Sequence, residues 1–472
     1  MIGSSSTIKI AGLLFCKICF SSLDRIIDWG WNKTEAWSPK PALAYEFCSD
    51  DFAIRPFWWE QTDVEDASPT ALPATVDVLV IGSGYTGLHC AIETAGAGRE
   101  TLVIDAESVG WGCSTRNGGQ ISGEIKPDFT ELEKRYGAVR AKALILEARE
   151  GLRWLGEFVE NEGIDCDYRH CGRFVAAHNP RQFRALAHAV ENQMSELARA
   201  MHVVPASEQS TEIESHYYHG GIVIDSHCSL DPLKYHQGLL GLARKKGTQI
   251  LGHCRAERID KTNNGFRVHT RRGVIETRDL VVATNGYTES VTPWHRRRII
   301  PIGSYMLATE PMSRARADRL MPNDRVFSDT RKIVVYFRKS PDGRRLLFGG
   351  RVSVFESDPI KCLPALRDEM LRIFPQLEDV KISHSWMGFV GYTFDYLPHL
   401  GRENGIYYAM GYCGSGICLA SYLGNRLGMQ LLGVSEAESA FDQARFQTRP
   451  FYSGKPWFLA AAVRYYQFLD RL

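Results

Sequence analysis

The sequence has little that would take it to a membrane. Its most apolar amino-terminal stretch, residues 8–20, is interrupted by Lys17 and has no small-residue cleavage site, so it reads neither as a secretory signal nor as a span of about 20 apolar residues. An excess of charge of one sign is missing too. Lys plus Arg number 56 against 55 for Asp plus Glu, which excludes a global field that would gather nucleic acid or an anionic membrane. Among 12 cysteines only Cys16 and Cys19 form a C-x-x-C. Without a second pair there is no tetrahedral zinc framework and no metal site is expected, and scattered thiols point to a reducing compartment, the cytoplasm. Repeats and low-complexity blocks are absent, which excludes solenoids and disordered arrays.

What remains is an ordinary globular composition, 44% apolar and 24% charged, on a chain of 472 residues that exceeds what one core serves and predicts two domains with a small-molecule ligand. Residues 1–50 read as a poorly ordered or spurious extension.

The first strong signal begins at residue 76. Val76-Asp77-Val78-Leu79-Val80-Ile81 is an almost unbroken apolar run of the kind buried on both faces of a parallel sheet. Gly82-Ser83-Gly84-Tyr85-Thr86-Gly87 follows at once, then a helix-compatible stretch to residue 97, Gly98, and a second apolar strand over residues 101–104. This is the strand–turn–helix–strand setting that gives a G-x-G-x-x-G its meaning. Gly82 makes the tight turn, Gly84 lets backbone approach a pyrophosphate, and Gly87 allows helix and strand to touch. The helix start, Tyr85 and Thr86 included, offers N–H groups and a positive dipole end. Asp105, eighteen residues after Gly87, is placed to accept hydrogen bonds from ribose hydroxyls.

Beyond it, residues 129–161 read as a helix stopping at Gly163 and residues 180–201 as another. RFVAA and GIVID between residues 172 and 224 suggest an excursion from the nucleotide domain. Asp231-Pro232 opens a helix to Gly247, with strands near residue 250 and over 266–270 and 280–283. Residues 299–354 read as antiparallel strands, with Pro341-Asp342-Gly343 as their clearest turn.

The fingerprint does not choose among FAD, NAD and NADP, but the residues after it narrow the choice. Asp105-Ala106-Glu107-Ser108-Val109-Gly110-Trp111-Gly112-Cys113-Ser114-Thr115-Arg116-Asn117-Gly118-Gly119-Gln120 resembles the second signature of the D-amino-acid-oxidase-like flavoproteins, closest to their gamma-glutamylputrescine oxidoreductase branch. Further anchors follow in family order. They are Arg55-Pro56-Phe57-Trp58-Trp59, Ala283-Thr284-Asn285-Gly286-Tyr287, Ala308-Thr309-Glu310-Pro311 and Phe348-Gly349-Gly350-Arg351, then Trp386-Met387-Gly388 and Gly411-Tyr412-Cys413-Gly414-Ser415-Gly416. Only the first fifty residues fall outside the resemblance. A glycine- and hydroxyl-rich loop of this length is hard to explain as a connector, usually about two to six residues in such units, and it can bring backbone donors against pyrophosphate and ring.

The resemblance implies an α/β fold in which a Rossmann-type FAD domain (70–167, 229–290 and 358–435) is interleaved with an antiparallel-sheet substrate domain (168–228 and 291–357), with 436–472 as a carboxyl-terminal extension. It implies non-covalent FAD. The expected contacts are Gly82, Gly84, Tyr85, Thr86, Gly87, Asp105, Ala106, Gly112, Ser114, Arg116, Asn117, Gly118, Gly119, Gln120, Ala256, Ala283 and the helix start Gly414, Ser415, Gly416 and Ile417. It implies oxidation of a C–N bond in a small amine or amino acid, by hydride transfer to flavin N5 and hydrolysis of the imine, with no acid–base dyad required. Substrate contacts are expected from Tyr305, Tyr336 and Arg338 on the antiparallel sheet, and Arg296-Arg297-Arg298 has no assigned chemistry.

Departures from the family speak about substrate and acceptor. The cysteine that tethers FAD in sarcosine oxidases falls near Gly388, a carboxylate-gripping lysine near Cys418, and an oxygen-activating lysine near Leu347. Sarcosine is therefore disfavoured, and an amine without an adjacent carboxylate, or one held by Arg338, fits better. Electrons can leave to oxygen or to a quinone or carrier, as in related dehydrogenases. A flavin-binding protein without turnover is the reading from a different class. An NAD(P)-linked reductase would need a second glycine-rich βαβ unit, and none is found.

Overall fold

The computed structural model describes residues 45–60, 71–442 and 444–471; residues 8–20 and the Cys16–Cys19 pair lie outside them. The first apolar run forms the strand Thr75–Ile81. It is central because both of its faces find apolar partners. Val78 and Val80 pack with Val103, Val281, Leu88, Ala91 and Leu423 on one side, and Leu79 and Ile81 with Leu102, Ile104 and Leu280 on the other, as the two-residue period of a strand requires. Thr101–Ile104 and then Gln249–Leu251 lie parallel on one flank. Gly273–Val282 lies parallel on the other, extended by the antiparallel strands Gly265–Thr270 and Ala256–Thr262. Ile406–Met410, paired to His399–Glu403, completes eight strands.

A second sheet of nine strands runs in the order Cys48–Ala53, Ile382–Tyr392, Ile300–Thr309, Leu346–Gly350, Val335–Lys339, Val326–Asp329, Arg173–Ala176, Gly221–Ile224 and Met201–Val204. One face carries Phe174, Tyr305, Leu307, Phe327, Phe337 and Phe348, covered by Leu363, Leu366 and Met370 of the helix Pro359–Ile373. The opposite face looks toward the glycine-rich loops of the first sheet.

This architecture is the α/β FAD-domain-plus-antiparallel-sheet class, with several boundaries moved. Residues 359–373 and 382–392 fall inside the stretch 358–435 expected in the FAD domain, yet the first is a helix packed on the nine-stranded sheet and the second is one of that sheet's strands. Ile382–Tyr392 pairs along the whole of Ile300–Thr309, a long-range pairing that no local pattern announces. Residues 48–50, expected within the amino-terminal extension, start the edge strand on Ile382–Tyr392. The expected carboxyl-terminal extension is packed in. Phe441 is fully buried, Tyr452 donates to Ile299 O at 2.6 Å, and Asp470 accepts from Lys332 N and Ile333 N.

Two expected helices also differ. Residues 129–161 split at Gly137, whose φ of 81° closes Phe129–Tyr136 and starts Ala138–Asn161. The helix from residue 180 ends at Glu191; Gln193 then bonds the backbone of Arg199 and the chain enters the strand Met201–Val204. Among the described residues no helix is long and apolar enough to cross a membrane.

Candidate functional site

The glycine turn leaves a cradle at the amino end of the helix Tyr85–Gly96. Gly82 holds a φ of 111° and a Cβ there would stand 2.8 Å from Ala283 O, so the turn needs glycine and Ala283 lies against it. A Cβ at Gly87 would overlap the Gly82 carbonyl oxygen. A Cβ at Gly84 would meet Ser114 Oγ at 2.8 Å, and that hydroxyl accepts from Tyr85 N at 3.0 Å. Asp105 sits beside the turn. Its Oδ2 accepts from Ser83 N at 2.9 Å and Ser83 Oγ at 2.5 Å, and its Oδ1 accepts from Glu107 N at 3.2 Å. Cys254 N donates to Asp105 O at 2.7 Å, which brings Ala256 to the same end of the cradle as Asp105 and Ala106.

Ser83 has no place in the fingerprint logic and is fully buried. It donates to Asp105, accepts from Gly110 N at 2.9 Å, and its carbonyl meets His236 Nε2 at 2.8 Å. A hydroxyl between the two glycines was the available signal, and it ties the turn to the following loop.

That loop is shaped by its own side chains. Asn117 Nδ2 donates to Cys113 O and Ser114 O at 3.1 and 3.0 Å, while its Oδ1 accepts from Gly119 N at 2.9 Å. Gln120 Nε2 donates to Phe337 O at 3.1 Å. Three indoles latch the loop, Trp58 donating to the backbone Asn117 O, Trp386 to the backbone Arg116 O and Trp59 to the side-chain Thr115 Oγ1 at 2.8, 2.8 and 3.0 Å. Arg116 lies with its guanidinium carbon 4.7 Å from the Trp59 ring centre and 4.2 Å from that of Trp111, Nε donating to Trp111 O at 2.7 Å. Burial pushes its pKa down, opposed by Tyr287 and Cys113. Arg116, Asn117 and Gln120 thus fix the loop's course, leaving the glycines and backbone of 112–119 as its presenting surface. Gly112 lies against Tyr287.

The second helix start is set by a close contact with the first. Gly424 of the helix Gly416–Leu431 meets Thr86, a Cβ there standing 2.6 Å from Thr86 O, and Gly428 meets Cys90 and Glu93. The contact advances in the same direction on both helices, so they run parallel. Gly416 precedes Gly424 by eight residues and Tyr85 precedes Thr86 by one. The later helix therefore starts about seven residues, roughly 10 Å, beyond the first. Its start is anchored by Ser415, which donates to Glu124 O at 2.5 Å, while Ile417 is buried in the core. Two positive dipole ends offset by about 10 Å along the helix axes suit a pyrophosphate and, further on, the pyrimidine edge of a flavin. These features fit FAD.

The substrate candidates separate. Tyr336 faces the loop: a Cβ at Gly118 would stand 3.0 Å from its ring and 3.4 Å from Met306. Its hydroxyl bonds Ser304 at 2.9 Å, and burial pushes its pKa up to about 12. Arg338 is on the same face but occupied, donating to Gly119 O at 2.8 Å, Leu230 O at 2.9 Å and Lys339 O at 3.0 Å. Tyr305 corrects the expectation. It pairs with Gly350 and Met387 on the opposite face, in the core under the helix Pro359–Ile373, where its hydroxyl donates to Ser357 O and accepts from Ser357 N. Leu347 is fully buried with Trp58, Met306 and Trp386. Arg298 of the arginine run stacks on Trp294 at 3.6 Å.

Comparison with known proteins agrees with this geometry. A family model described as FAD dependent oxidoreductase matches residues 77–428. Gamma-glutamylputrescine oxidoreductase of Escherichia coli (strain K12) is 32% identical over 403 residues, covering 84% of this chain and 93% of that protein. The crystal structure of L-proline dehydrogenase from P.horikoshii aligns with a TM-score of 0.64 at 18% identity, covering 83% of this chain and 99% of that one. Glycine oxidase from Geobacillus kaustophilus aligns with a TM-score of 0.64 at 17% identity, covering 80% and 99%.

Proposed function

Because the chain belongs to the FAD dependent oxidoreductase family, we propose that it oxidises the C–N bond of a small amine or amino acid in the space between the glycine-rich loop and the nine-stranded sheet. FAD, when bound, supplies the hydride acceptor. The chain's own residues bind, orient and exclude water. The observation that carries this reading is the chemistry of the sheet face beside the loop. Ser304, Met306 and Tyr336 form a hydroxyl-bearing and otherwise apolar row, suited to holding a neutral amine whose oxidation by hydride loss needs no side-chain base. The closing helix start can hold negative charge at the pyrimidine edge. Anaerobic titration of the purified yellow protein with polyamines, gamma-glutamylated amines, N-methyl amino acids and D-amino acids tests the reading. Bleaching of the flavin band by one class is expected, and no bleaching by any of them would favour a flavin-binding protein without turnover.

Leu347 favours a second reading of the acceptor. An oxidase of the sarcosine type would place a lysine near it, and here an aliphatic side chain is packed among indoles, which suits electron transfer to a quinone or carrier. Stopped-flow mixing of the reduced protein with air-saturated buffer discriminates, since slow reoxidation is expected of a dehydrogenase. A cytoplasmic location accords with the ten described cysteines, all free.

A further inference from the structure

Beyond the reacting row, the same sheet face carries a cation, Arg173, that forms no ion pair among the described residues. Ser328 pairs with Tyr336 on one side and with Val175 on the other, so those three side chains share one face, and Arg173, two residues along its strand, shares it too. Two interstrand spacings of about 4.8 Å across, plus two residues along, put the Arg173 Cα roughly 11–12 Å from that of Tyr336. Arg173 is half-buried at the head of its strand. Its Nε is buried without a hydrogen-bond partner, and among the described residues no carboxylate pairs with it. Burial pushes its pKa down to about 10, with Glu124 opposing.

The surroundings deepen the imbalance. Glu124 is already paired with Arg199, and Arg149 reaches Leu197 O. His227 is 2% exposed, yet both its ring nitrogens lack hydrogen-bond partners, Nε2 lying 4.0 Å from Glu124 Oε1. Three arginines thus face one carboxylate, with unsatisfied donors among them, a costly arrangement unless an anion completes it. The cluster adjoins the reaction space, because the Glu124 carbonyl caps the hydroxyl of Ser415 at the closing helix start.

We propose that Arg173, with His227 and Arg199 beside it, forms a carboxylate-binding subsite that selects amines bearing a carboxylate several bonds beyond the C–N bond being oxidised. The subsite rests on the reading of the site as an amine-oxidising one. It lies too far from Tyr336 to hold a carboxylate on the reacting carbon itself. A gamma-glutamyl amide has the required length and charge.

The test uses the FAD-loaded protein and two amines, gamma-glutamylputrescine and gamma-aminobutyryl-putrescine, which differ only in the carboxylate. In the unsubstituted protein the carboxylated amine should half-saturate anaerobic flavin reduction at a concentration about ten- to a hundredfold lower. Arg173→Gln should collapse that preference to within about threefold, and Arg173→Lys should restore part of it. A second readout needs no turnover. Glutarate, which has no oxidisable C–N bond, should perturb the flavin spectrum on binding and lose about tenfold or more in affinity in Arg173→Gln. If glutarate binds through Arg173 but no amine reduces the flavin, the subsite stands and the amine-oxidising reading falls. If amines reduce the flavin with no preference for the carboxylate, the subsite is overturned. Should Arg173→Gln fail to fold, the paired amines on the unsubstituted protein decide alone.

Discussion

The cofactor cradle and the proposed substrate face are built by opposite means. The cradle is made of backbone, with Gly82, Gly84, Gly87 and the loop 112–119 set by contacts that side chains would block. The substrate face is made of side chains whose identity depends on which way each strand residue points. A backbone site tolerates no added atom, whereas a side-chain site trades one group for another. Substitutions in the first region should therefore remove the cofactor outright, and those in the second should redistribute affinity and stability.

The largest effect is expected at Gly87. Gly87→Val places atoms into the Gly82 carbonyl and against Val80, and the purified variant should contain no flavin by absorbance at unchanged far-ultraviolet dichroism. Stoichiometric flavin there would mean that the cradle lies elsewhere. Arg338→Met comes next. It takes a donor from the Gly119, Leu230 and Lys339 carbonyls, the first of which keeps Leu230 N at 3.0 Å, and it should lower stability by about 2 kcal/mol, read by denaturant unfolding. An Arg338 that gripped substrate instead would raise KM with the unfolding midpoint held.

Asp105→Asn is intermediate, weakening FAD binding by about tenfold to a hundredfold, because the carboxylate holds Ser83 in the turn and is the proposed ribose acceptor. Single-turnover reduction at saturating FAD should stay near normal, since the adenosine end is remote from the ring. Tyr305→Phe should cost about 1 kcal/mol of stability through its lost bonds to Ser357 and leave flavin reduction within about twofold. A collapsed rate would return Tyr305 to the site. The smallest effect concerns the tether. Cys113 Sγ lies 3.6 Å from where a Cβ of Gly388 would stand, and burial pushes its thiol up to about 11. FAD should be released completely on acid denaturation, and equally from Cys113→Ser. Flavin retained by the precipitate would show a covalent bond.

The same contrast explains what could be read from the residues alone. The glycine turn, Asp105 and the helix start at Gly416 are local patterns whose spacing carries their geometry. Tyr305 and Tyr336 both lie on strands buried on two faces, where neighbouring residues are apolar in both directions and no alternation tells the faces apart. Parity came only from the pairing of Tyr305 with Gly350 and of Tyr336 with Gly349. The pairing of residues 382–392 is hidden for a related reason, since their partner strand lies some eighty residues earlier in the chain. Arg173 heads the run RFVAA, and an arginine before an apolar run reads as an ordinary strand end; only the folded arrangement shows that it has no ion-pair partner among the described residues.

The contact of Gly424 on Thr86 and of Gly428 on Cys90 acts as a ruler. Because glycine lets the two helices touch backbone to backbone, their register cannot slide without a clash, and a slip of one turn would change the gap between their amino ends by about 5.4 Å. If FAD spans the two helix starts, as proposed, the glycines would fix which length of flavin can touch both ends at once. A mononucleotide such as FMN reaches the ring end but leaves the adenosine side of the cradle empty, and discrimination between FMN and FAD is then decided in a helix interface that touches neither.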